Sequence, residues 1–212
     1  MSGTLYLVPT PIGNLEDASP RSKRILAEVD LIAAEDTRTA KQLLDHFGIS
    51  GAKITSYFEG NEASRSEELV AKLTEGASVA LVSEAGTPAV SDPGQRLVAR
   101  AAEEGIRVEP IPGPAAVICA LIASGLPTQP FTFFGFLPRE AGPRRQQLGT
   151  LRGRSETMVF YESPDRVGAC LADMVEAFGA ERRVVLAREL SKMYEEFVRG
   201  SCEELAARYA ET

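Results

Sequence analysis

The chain has 212 residues, 44% of them hydrophobic and 25% charged, which predicts a folded protein of one large domain or two small ones. Its formal net charge of −7 argues against general nucleic-acid affinity, because such affinity depends on a basic surface, so any contact with a nucleic acid must be local. Neither zinc-type cysteine spacing nor a run of about eighteen apolar residues occurs. We therefore expect a reduced, cytoplasmic protein without a metal site or a membrane span.

The first half of the chain alternates segments typical of strands and helices. Short apolar runs predict the strands, and N-cap residues such as Ser19 and stop residues such as Gly48 and Gly105 delimit the helices between them. The predicted strands lie at 5–8, 31–34, 54–57, 79–82 and 106–111. Strands and helices that alternate in this way predict a parallel α/β sheet with right-handed crossovers.

The loop at 83–94 is the strongest candidate for a binding site in this half. It follows a strand with the pattern of burial on both faces, and ligands of open α/β sheets bind beyond the carboxyl ends of such strands. Gly86 allows the backbone to approach a ligand, and Pro88 and Pro93 stiffen the loop. An ordinary connection is the other interpretation, but such connections usually have about two to six residues, and this one is twice as long.

Two more loops follow the first and second strands. Segment 9–15 is too rich in Pro and Gly to be helical and is a second candidate at the same edge of the sheet. At 35–38, two carboxylates, a hydroxyl and a guanidinium could bind a polar substrate, but they could equally cap the following helix and pair with one another. His46, the only histidine, is predicted to be a surface or capping residue at a helix end.

The character of the chain changes after residue 124, and we predict a boundary there between domains at 1–124 and 125–212. An Ala/Ile-rich helix precedes the boundary and an aromatic strand, 131–136, follows it. Its phenylalanines could stack a flipped base, but such residues are more often core, and we favour core. The remaining predictions are a strand at 157–161, a helix through 171–178, antiparallel strands at 183–187 and 195–198, and a last helix at 203–210.

Arginines between residues 139 and 154 form a local basic cluster in an otherwise acidic chain. Five positive charges stand against the single negative charge of Glu140, a balance of +4 that could hold phosphates and steer association. A solvated helix face is the other interpretation, since runs of charge usually serve that purpose. The cluster consists of Arg139, Arg144, Arg145, Arg152 and Arg154, and Arg38 and Arg166 could extend it.

Eight motifs in a fixed order carry a resemblance to a known family. They are TPIGNL at 10–15, AEDTR at 34–38, SEAGTP with SDPG in 83–94, PGP at 112–114, SGLPT at 124–128, FFGFLPR at 133–139, FYESP at 160–164 and ARELSK at 187–192. With these motifs the chain resembles, over almost its whole length, the tetrapyrrole methylase superfamily of S-adenosylmethionine (SAM)-dependent methyltransferases. Within it, the chain looks closest to the branch that methylates the ribose 2′-hydroxyl of a cytidine in the decoding region of 16S rRNA.

The resemblance implies two α/β domains with a SAM cleft between them, and a homodimer that acts on 16S rRNA within the small ribosomal subunit, away from any membrane. The family's cofactor contacts fall on the loop after the fourth strand, on the Pro-Gly-Pro turn and on residues of the second domain. In this sequence those positions are Gly86, Thr87, Pro88, Val90, Pro112, Gly113, Ala115, Ala116, Phe160, Tyr161 and Leu190.

A ribose hydroxyl is a poor nucleophile until a base accepts its proton, so a positioned carboxylate is expected within hydrogen-bond reach of it. Asp36 and Glu162 are the predicted catalytic residues, because both follow strands and both match family motifs. The predicted substrate-binding residues are Asn14, Glu35, Arg38, Arg139, Arg144, Arg145 and Arg166.

The chain departs from the branch at three positions, where Glu84 replaces Asp, Ala115 replaces Ser and Asp165 replaces His. A Lys-Gly-Glu strand of the family is also missing, so we expect the second sheet to lack its closing strand. The alternatives are a tetrapyrrole C-methyltransferase and a non-catalytic module that binds SAM or RNA. Tetrapyrrole enzymes of the family tend to carry a Gly-rich first loop and Gly-Asp-Pro in the fourth, whereas this chain has a Pro-rich first loop and Gly-Thr-Pro, which favours RNA.

Overall fold

The structure is a computed structural model that describes residues 2–210 of the chain. It divides the chain into two compact units, Met1–Ala116 and Val117–Thr212, which we describe separately. The domain boundary predicted after residue 124 stays a prediction. None of the described helices is long and apolar enough to cross a membrane.

The first unit is built on a five-stranded parallel sheet, which confirms the α/β class and the parallel sheet predicted from the alternating pattern. Its elements are β1 (Thr4–Leu7), α1 (Pro20–Glu28), β2 (Leu31–Ala34), α2 (Thr37–His46), β3 (Ile54–Ser56), α3 (Glu62–Thr74), β4 (Val79–Val82), α4 (Gln95–Glu103) and β5 (Arg107–Pro110), with a 3₁₀ turn at Leu15–Asp17. The strands lie in the order β3-β2-β4-β1-β5.

The central strand β4 is buried on both faces because helices cover both sides of the sheet. Its side chains alternate: Val79 and Leu81 join the core on one face, and Ala80 and Val82 join the core on the other. Helices α3 and α4 contribute to the first core, and α1 and α2 to the second. The unbroken apolar run of β4 is therefore the sequence signature of its central position.

Side-chain caps fix several helix starts, as their sequence pattern indicates. Ser19 accepts a hydrogen bond from the amide of Ser22 at 3.0 Å, with a proline in the first turn of α1. Asn61 occupies the N-cap position of α3, but its side chain makes no capping bond. It accepts instead from the amide of Phe58 at 2.9 Å and donates to the carbonyl of Ser56 at 3.2 Å, so it stabilises the turn that leads into the helix.

The second unit holds two small two-stranded sheets. Its elements are α5 (Ala116–Ser124), whose first residue belongs to the first unit, β6 (Phe131–Phe136), α6 (Ala141–Thr150), β7 (Thr157–Tyr161), a 3₁₀ turn at Pro164–Arg166, α7 (Val167–Phe178), β8 (Arg183–Arg188), β9 (Glu196–Ser201) and α8 (Cys202–Arg208). Strands β6 and β7 are parallel, and β8 and β9 are antiparallel, the latter as predicted. Helices α6, α7 and α8 and strand β9 contribute to the core of this unit.

The aromatic strand β6 is not the core strand that its pattern favours. Phe131 and Phe136 are 39% and 55% exposed, and the residues between them are half-buried. The reason is that the fully buried core of this unit is built by the helices and β9. The phenylalanines of β6 instead pack against β7, where Phe134 stacks on Phe160.

Candidate active site

Three loops of the first unit meet at the carboxyl edge of its sheet, because the strand order places β1 between β4 and β5. Thr10 and Gly86 exchange both backbone hydrogen bonds, at 2.9 and 3.0 Å. The hydroxyl of Thr87 donates to the carbonyl of Pro114 at 2.8 Å. A Cβ on Gly113 would lie 2.8 Å from Cβ of Pro9, so these two segments are in close contact. We call segments 9–14, 83–94 and 111–115 the three-loop edge.

The backbone of the longest loop is held in conformations that most residues avoid. Gly86 has φ +90°, and a Cβ there would lie 3.3 Å from Cγ2 of Ile12. Ala89 and Ser91 both have φ 64°, although neither is a glycine. Such strain persists only where the surrounding structure enforces it, and it concentrates at sites of ligand binding and catalysis. A side chain at position 86 would press on Ile12 and approach the carbonyl of Pro114, so Gly86 is needed for the close packing of the three loops.

Hydrogen bonds with neighbouring residues fix both ends of the loop at 83–94. At its start, Thr10 donates its hydroxyl to the carbonyl of Ser83 at 3.1 Å, and Ser83 donates its own to the carbonyl of Gly86 at 3.0 Å. At its end, the amide of Gly94 donates to Oε1 of Glu62 at 3.1 Å. These bonds make the loop part of a rigid frame.

Tyr57 orients Glu62, which holds the end of the loop. The phenol donates to the same Oε1 of Glu62 at 3.0 Å and lies 3.1 Å from the hydroxyl of Ser66. Burial raises the pKa of Tyr57 to about 12, so the phenol stays a donor at neutral pH. Sequence reasoning missed both residues, because Glu62 meets the loop from 32 positions away and no local motif marks that contact.

Asp36 caps α2 and pairs with Arg38. Its Oδ1 accepts the amides of Arg38 and Thr39 at 2.7 and 3.3 Å, and its Oδ2 lies 2.9 Å from Nη2 of Arg38. The Arg38 side chain, aided by these amides, lowers the pKa of Asp36 to about 2. Of the two interpretations that the sequence leaves open for this segment, capping and pairing is the one observed for Asp36.

Glu35, the neighbour of Asp36, is in a different environment. It is half-buried, and no hydrogen bond or ion pair engages its carboxylate within residues 2–210. Burial raises the pKa of Glu35, and the negative charges of Asp92 and Glu84 add to the effect. Burial likewise raises the pKa of Asp92. The end of β2 and the long loop therefore bring together carboxylates that disfavour one another's charge.

A small cavity adjoins Glu35 within the first unit. Residues of β2, β4, α1 and α2 form its apolar wall. Polar residues from the segment between β2 and α2, from the first turn of α2 and from two loops of the three-loop edge complete the cavity. The apolar lining includes Leu26, Ile32, Leu43, Leu44 and Val82, and the polar lining includes Thr10, Glu35, Asp36, Thr39, Ser83 and Glu84.

In the second unit, the predicted residues Glu162 and Arg166 form an ion pair at the end of β7, and both side chains are largely buried. Oε1 of Glu162 also accepts the amide of Ser163 at 2.7 Å. The other oxygen of Glu162 and two nitrogens of Arg166 are buried without a hydrogen-bond partner. Arg166 is thus held inside the unit rather than offered at its surface. A catalytic role for Glu162 stays a prediction.

The predicted cofactor residues of the second unit lie on β7 and on the turn between β8 and β9. Phe160 packs against β6, and the ring of Tyr161 meets that of Phe133 edge to face at 4.8 Å. The phenol of Tyr161 accepts the amide of Val117 at 3.2 Å. Leu190 lies between two residues with positive φ, 54° and 65°. Contact of Phe160, Tyr161 and Leu190 with a cofactor stays a prediction.

The basic cluster divides into a buried and an exposed part. The side chain of Arg144 is 5% exposed, and its Nε lies 2.6 Å from Oδ2 of Asp173, itself 2% exposed. Its Nη1 donates to the carbonyl of Arg139 at 3.1 Å. The other carboxylate oxygen of Asp173 accepts from Arg145, which is half-exposed. Arg144 therefore supports the fold, and a direct contact between it and a substrate is not compatible with its burial.

Two other arginines of the cluster also bond within the unit. Arg152 donates to the carbonyls of Ala177 and Glu176 at the end of α7, and Arg154 pairs with Glu156 at 2.8 Å. Exposed basic groups remain at Arg139 and Arg145, and at Arg38 in the first unit, which is 88% exposed. Asn14 is exposed and accepts the amide of Glu16 at 3.0 Å.

The parallel sheet and the backbone-built loops at its carboxyl edge define an α/β enzyme that binds a small cofactor or cosubstrate. The family model of tetrapyrrole (corrin/porphyrin) methylases matches residues 4–206, and the chain belongs to this family. It is therefore a methyltransferase, as its motifs predict.

Curated relatives are similar over nearly the whole chain. Proteins named ribosomal RNA small subunit methyltransferase I from Halalkalibacterium halodurans and Mesorhizobium japonicum are 54% and 50% identical, over 95% and 97% of this chain and 69% and 70% of their own length. The protein of the same name from Synechocystis is 50% identical over 99% of this chain and 75% of its own length.

Solved structures of the family share the fold at lower identity. A cobalt precorrin-4 methyltransferase has a TM-score of 0.68 and 17% identity over 98% of this chain and 89% of its own. The uroporphyrin-III C-methyltransferase of Thermus thermophilus in complex with S-adenyl homocysteine has a TM-score of 0.64 and 20% identity, over 99% of this chain and 93% of its own. At these identities the likeness concerns the fold alone.

Proposed function

We propose that the protein transfers a methyl group from SAM to the ribose 2′-hydroxyl of a cytidine in the decoding region of 16S rRNA. The relatives that are 50% to 54% identical carry the name of a small-subunit rRNA methyltransferase, which supports an rRNA substrate. The observation that carries the proposal is the three-loop edge, where three of the eight family motifs converge although they lie far apart in the chain. The similarity to tetrapyrrole enzymes is one of fold and does not favour a tetrapyrrole substrate.

The residues of the three-loop edge fit SAM as the methyl donor. Gly86 lets its loop pack closely against Ile12 and the carbonyl of Pro114, which keeps the three loops together at the edge where a ligand would bind. SAM carries a positive sulfonium and supplies the methyl group as an electrophile. The carboxylates of Glu84 and Asp92 give this edge the opposite charge, which favours a cation there.

Methyl transfer from a sulfonium is an in-line displacement, so the protein has mainly to align donor and acceptor. The bonds from Ser83 to Gly86 and from Gly94 to Glu62 hold the loop rigid before any ligand binds. A rigid loop lowers the entropic cost of alignment, because little of it has to be ordered in the complex.

The proposed RNA contacts use the exposed part of the basic residues, namely Arg38, Arg139 and Arg145, together with Asn14. Buried Arg144 and Arg166 are left out of this surface, for the reasons given above. Within the second unit, the exposed Arg139 and Arg145 give a local positive charge on a chain of net charge −7, so RNA binding there does not depend on a generally basic protein.

The proposed function also includes the form of the substrate, the cellular compartment and the oligomeric state of the protein. We propose that the substrate is the assembled small subunit and that the protein acts in the cytoplasm, where that subunit is found. A homodimer is part of the proposal. The apolar side chains of Ile118 and Ile122, one turn apart on α5, are exposed and would be covered in such a dimer.

The test is to incubate the purified protein with tritiated SAM and small subunits from a strain that lacks the enzyme. Any label is then mapped by primer extension sensitive to ribose methylation. We expect one 2′-O-methyl group in the decoding region. Protein-free 16S rRNA, run in parallel, shows whether the assembled subunit is required. Binding of SAM without transfer to either RNA would refute the proposal and support a non-catalytic module, while transfer to a tetrapyrrole instead would support the other enzyme class.

A further inference from the structure

We propose that Glu35, rather than Asp36 or Glu162, is the general base that accepts the proton of the ribose hydroxyl. This inference rests on the proposed function, because it assigns a role within the same site. Glu35 and Asp36 are neighbours at the carboxyl end of β2, and their surroundings give them different chemistry.

Asp36 is poorly suited to accept a proton in the reaction. Both of its oxygens are already engaged, one by two amides of α2 and the other by Arg38. A general base must offer a free lone pair to the proton that it removes. Accepting a proton would cost Asp36 its cap and its ion pair, so the residue acts as a structural anchor.

Glu162 is constrained in a similar way. Its Oε1 accepts the amide of Ser163 and pairs with Arg166, so this oxygen is already engaged. Its second oxygen has no partner, but it is buried inside the second unit.

Glu35 has the free oxygens and the surroundings that the reaction needs. Its carboxylate has no partner in the described part of the chain, and it lines the cavity together with Thr10 and Ser83, which belong to the three-loop edge. Glu84 and Asp92 face it from the loop after β4, and Asp36 is beside it in the chain. Burial and these charges disfavour its ionised form, so gaining a proton relieves an unfavourable arrangement.

The step conserves atoms and charge. The O–H bond of the 2′-hydroxyl breaks and its proton passes to a carboxylate oxygen of Glu35, while the 2′-oxygen forms a bond to the methyl carbon of SAM. The bond between that carbon and sulfur breaks, and its electron pair remains on sulfur. The products are S-adenosylhomocysteine, 2′-O-methylribose and protonated Glu35, which later releases its proton to solvent.

The test compares Glu35→Gln with the wild type and with Glu75→Gln, a matched change of an exposed glutamate at the end of α3. For Glu35→Gln we expect kcat to fall at least about 100-fold, the usual contribution of a general base, while KM for small subunits and Kd for SAM stay within about twofold. We expect kcat of the wild type to rise with pH as Glu35 loses its proton, and this rise should disappear in Glu35→Gln. Asp92 is unchanged in the variant, so the loss of this pH dependence is assigned to Glu35.

A second readout needs neither SAM nor RNA. Because the pKa of Glu35 is raised in the folded state, its contribution to stability is greatest at low pH and falls as pH rises through that pKa. Glu35→Gln should therefore melt at a higher temperature than the wild type at pH 8 and at the same temperature below about pH 4. Asp36→Asn should lower the melting temperature at pH 8, since its pKa is shifted in the opposite direction.

The outcomes separate the two proposals. If the wild type methylates the subunit and Glu35→Gln retains its kcat, the base assignment is overturned and the proposed function stands. If KM rises while kcat is unchanged, Glu35 binds the nucleotide and is not the base. If the wild type transfers nothing to RNA, the proposed function fails and the base assignment fails with it. An unchanged melting temperature at pH 8 would contradict the electrostatic argument by itself.

Discussion

Asp173→Asn should destabilise the second unit strongly, because it leaves a buried arginine without its counter-charge. Asp173 pairs with Arg144 at 2.6 Å, and the two side chains are only 2% and 5% exposed. In the variant, the guanidinium of Arg144 still donates to the carbonyl of Arg139, but it has lost its buried carboxylate partner. The change removes one charge and almost no volume, so the electrostatic effect is isolated.

The expected size follows from the burial of this pair. Removing one partner of a buried ion pair costs about 3–5 kcal/mol, because the remaining charge is desolvated and uncompensated. In a protein of this size each kcal/mol lowers the melting temperature by about 2–4 °C, so the variant should melt about 6–20 °C below the wild type.

The assay is urea denaturation followed by circular dichroism, with calorimetry to measure the melting temperature. Arg145→Gln is the matched control, and we expect it to change the midpoint little, because that guanidinium is half-exposed and pairs with the same aspartate from the solvent side. The double variant Arg144→Met with Asp173→Leu should recover most of the loss, since an apolar pair of similar volume can replace a buried ion pair.

A loss below about 1 kcal/mol for Asp173→Asn would refute this reasoning, because it would mean that water reaches the pair. Such a result would also make Arg144 a candidate for contact with RNA again. The prediction therefore bears on the proposed RNA surface as well as on the fold.

Three other predictions concern the first unit. Gly86→Ala places a side chain on a residue with φ +90°, at a cost of about 1–3 kcal/mol, and should raise Kd for SAM about tenfold or more in isothermal titration calorimetry. The control Gly149→Ala, which has open space around its Cβ, should leave Kd unchanged. Asp36→Ala should lower the melting temperature more at pH 7 than near pH 2. Because the pKa of Asp36 is lowered to about 2, its stabilisation is present above about pH 4 and is lost as pH falls through about 2, and equal losses at both pH values would contradict this. Tyr57→Phe removes the hydrogen bond that orients Glu62 and should cost about 1 kcal/mol by urea denaturation while also raising Kd for SAM; a change in stability without a change in Kd would show that the bond does not position the loop.

The sequence by itself determined the order and the class of the elements. Four consecutive apolar residues at 79–82 are enough to indicate a strand buried on both faces, and they form β4. Ser19 and Ser201 mark the starts of α1 and α8 because a cap depends on residues only a few positions away. The loop after β4 stood out for the same local reason, its length and its content of Gly and Pro.

The sequence also determined the family, because each motif is a string of adjacent residues. Such strings and their order along the chain can be recognised without knowing any contact in the folded protein. It could not assign the roles of similar residues within those strings. Asp36 and Glu35 are both acidic and adjacent, and a linear pattern gives no reason to prefer one as the base.

Only the tertiary structure decided which charges are engaged and which are free. Arg144 and Arg139 belong to one basic cluster in the sequence, yet Arg144 is buried against Asp173, 29 positions away. Glu62 holds the end of the loop after β4 through a contact that spans 32 positions. The pKa of a carboxyl and the availability of a guanidinium depend on burial and on partners brought together by the fold, and these are properties of distance in space rather than of distance along the chain.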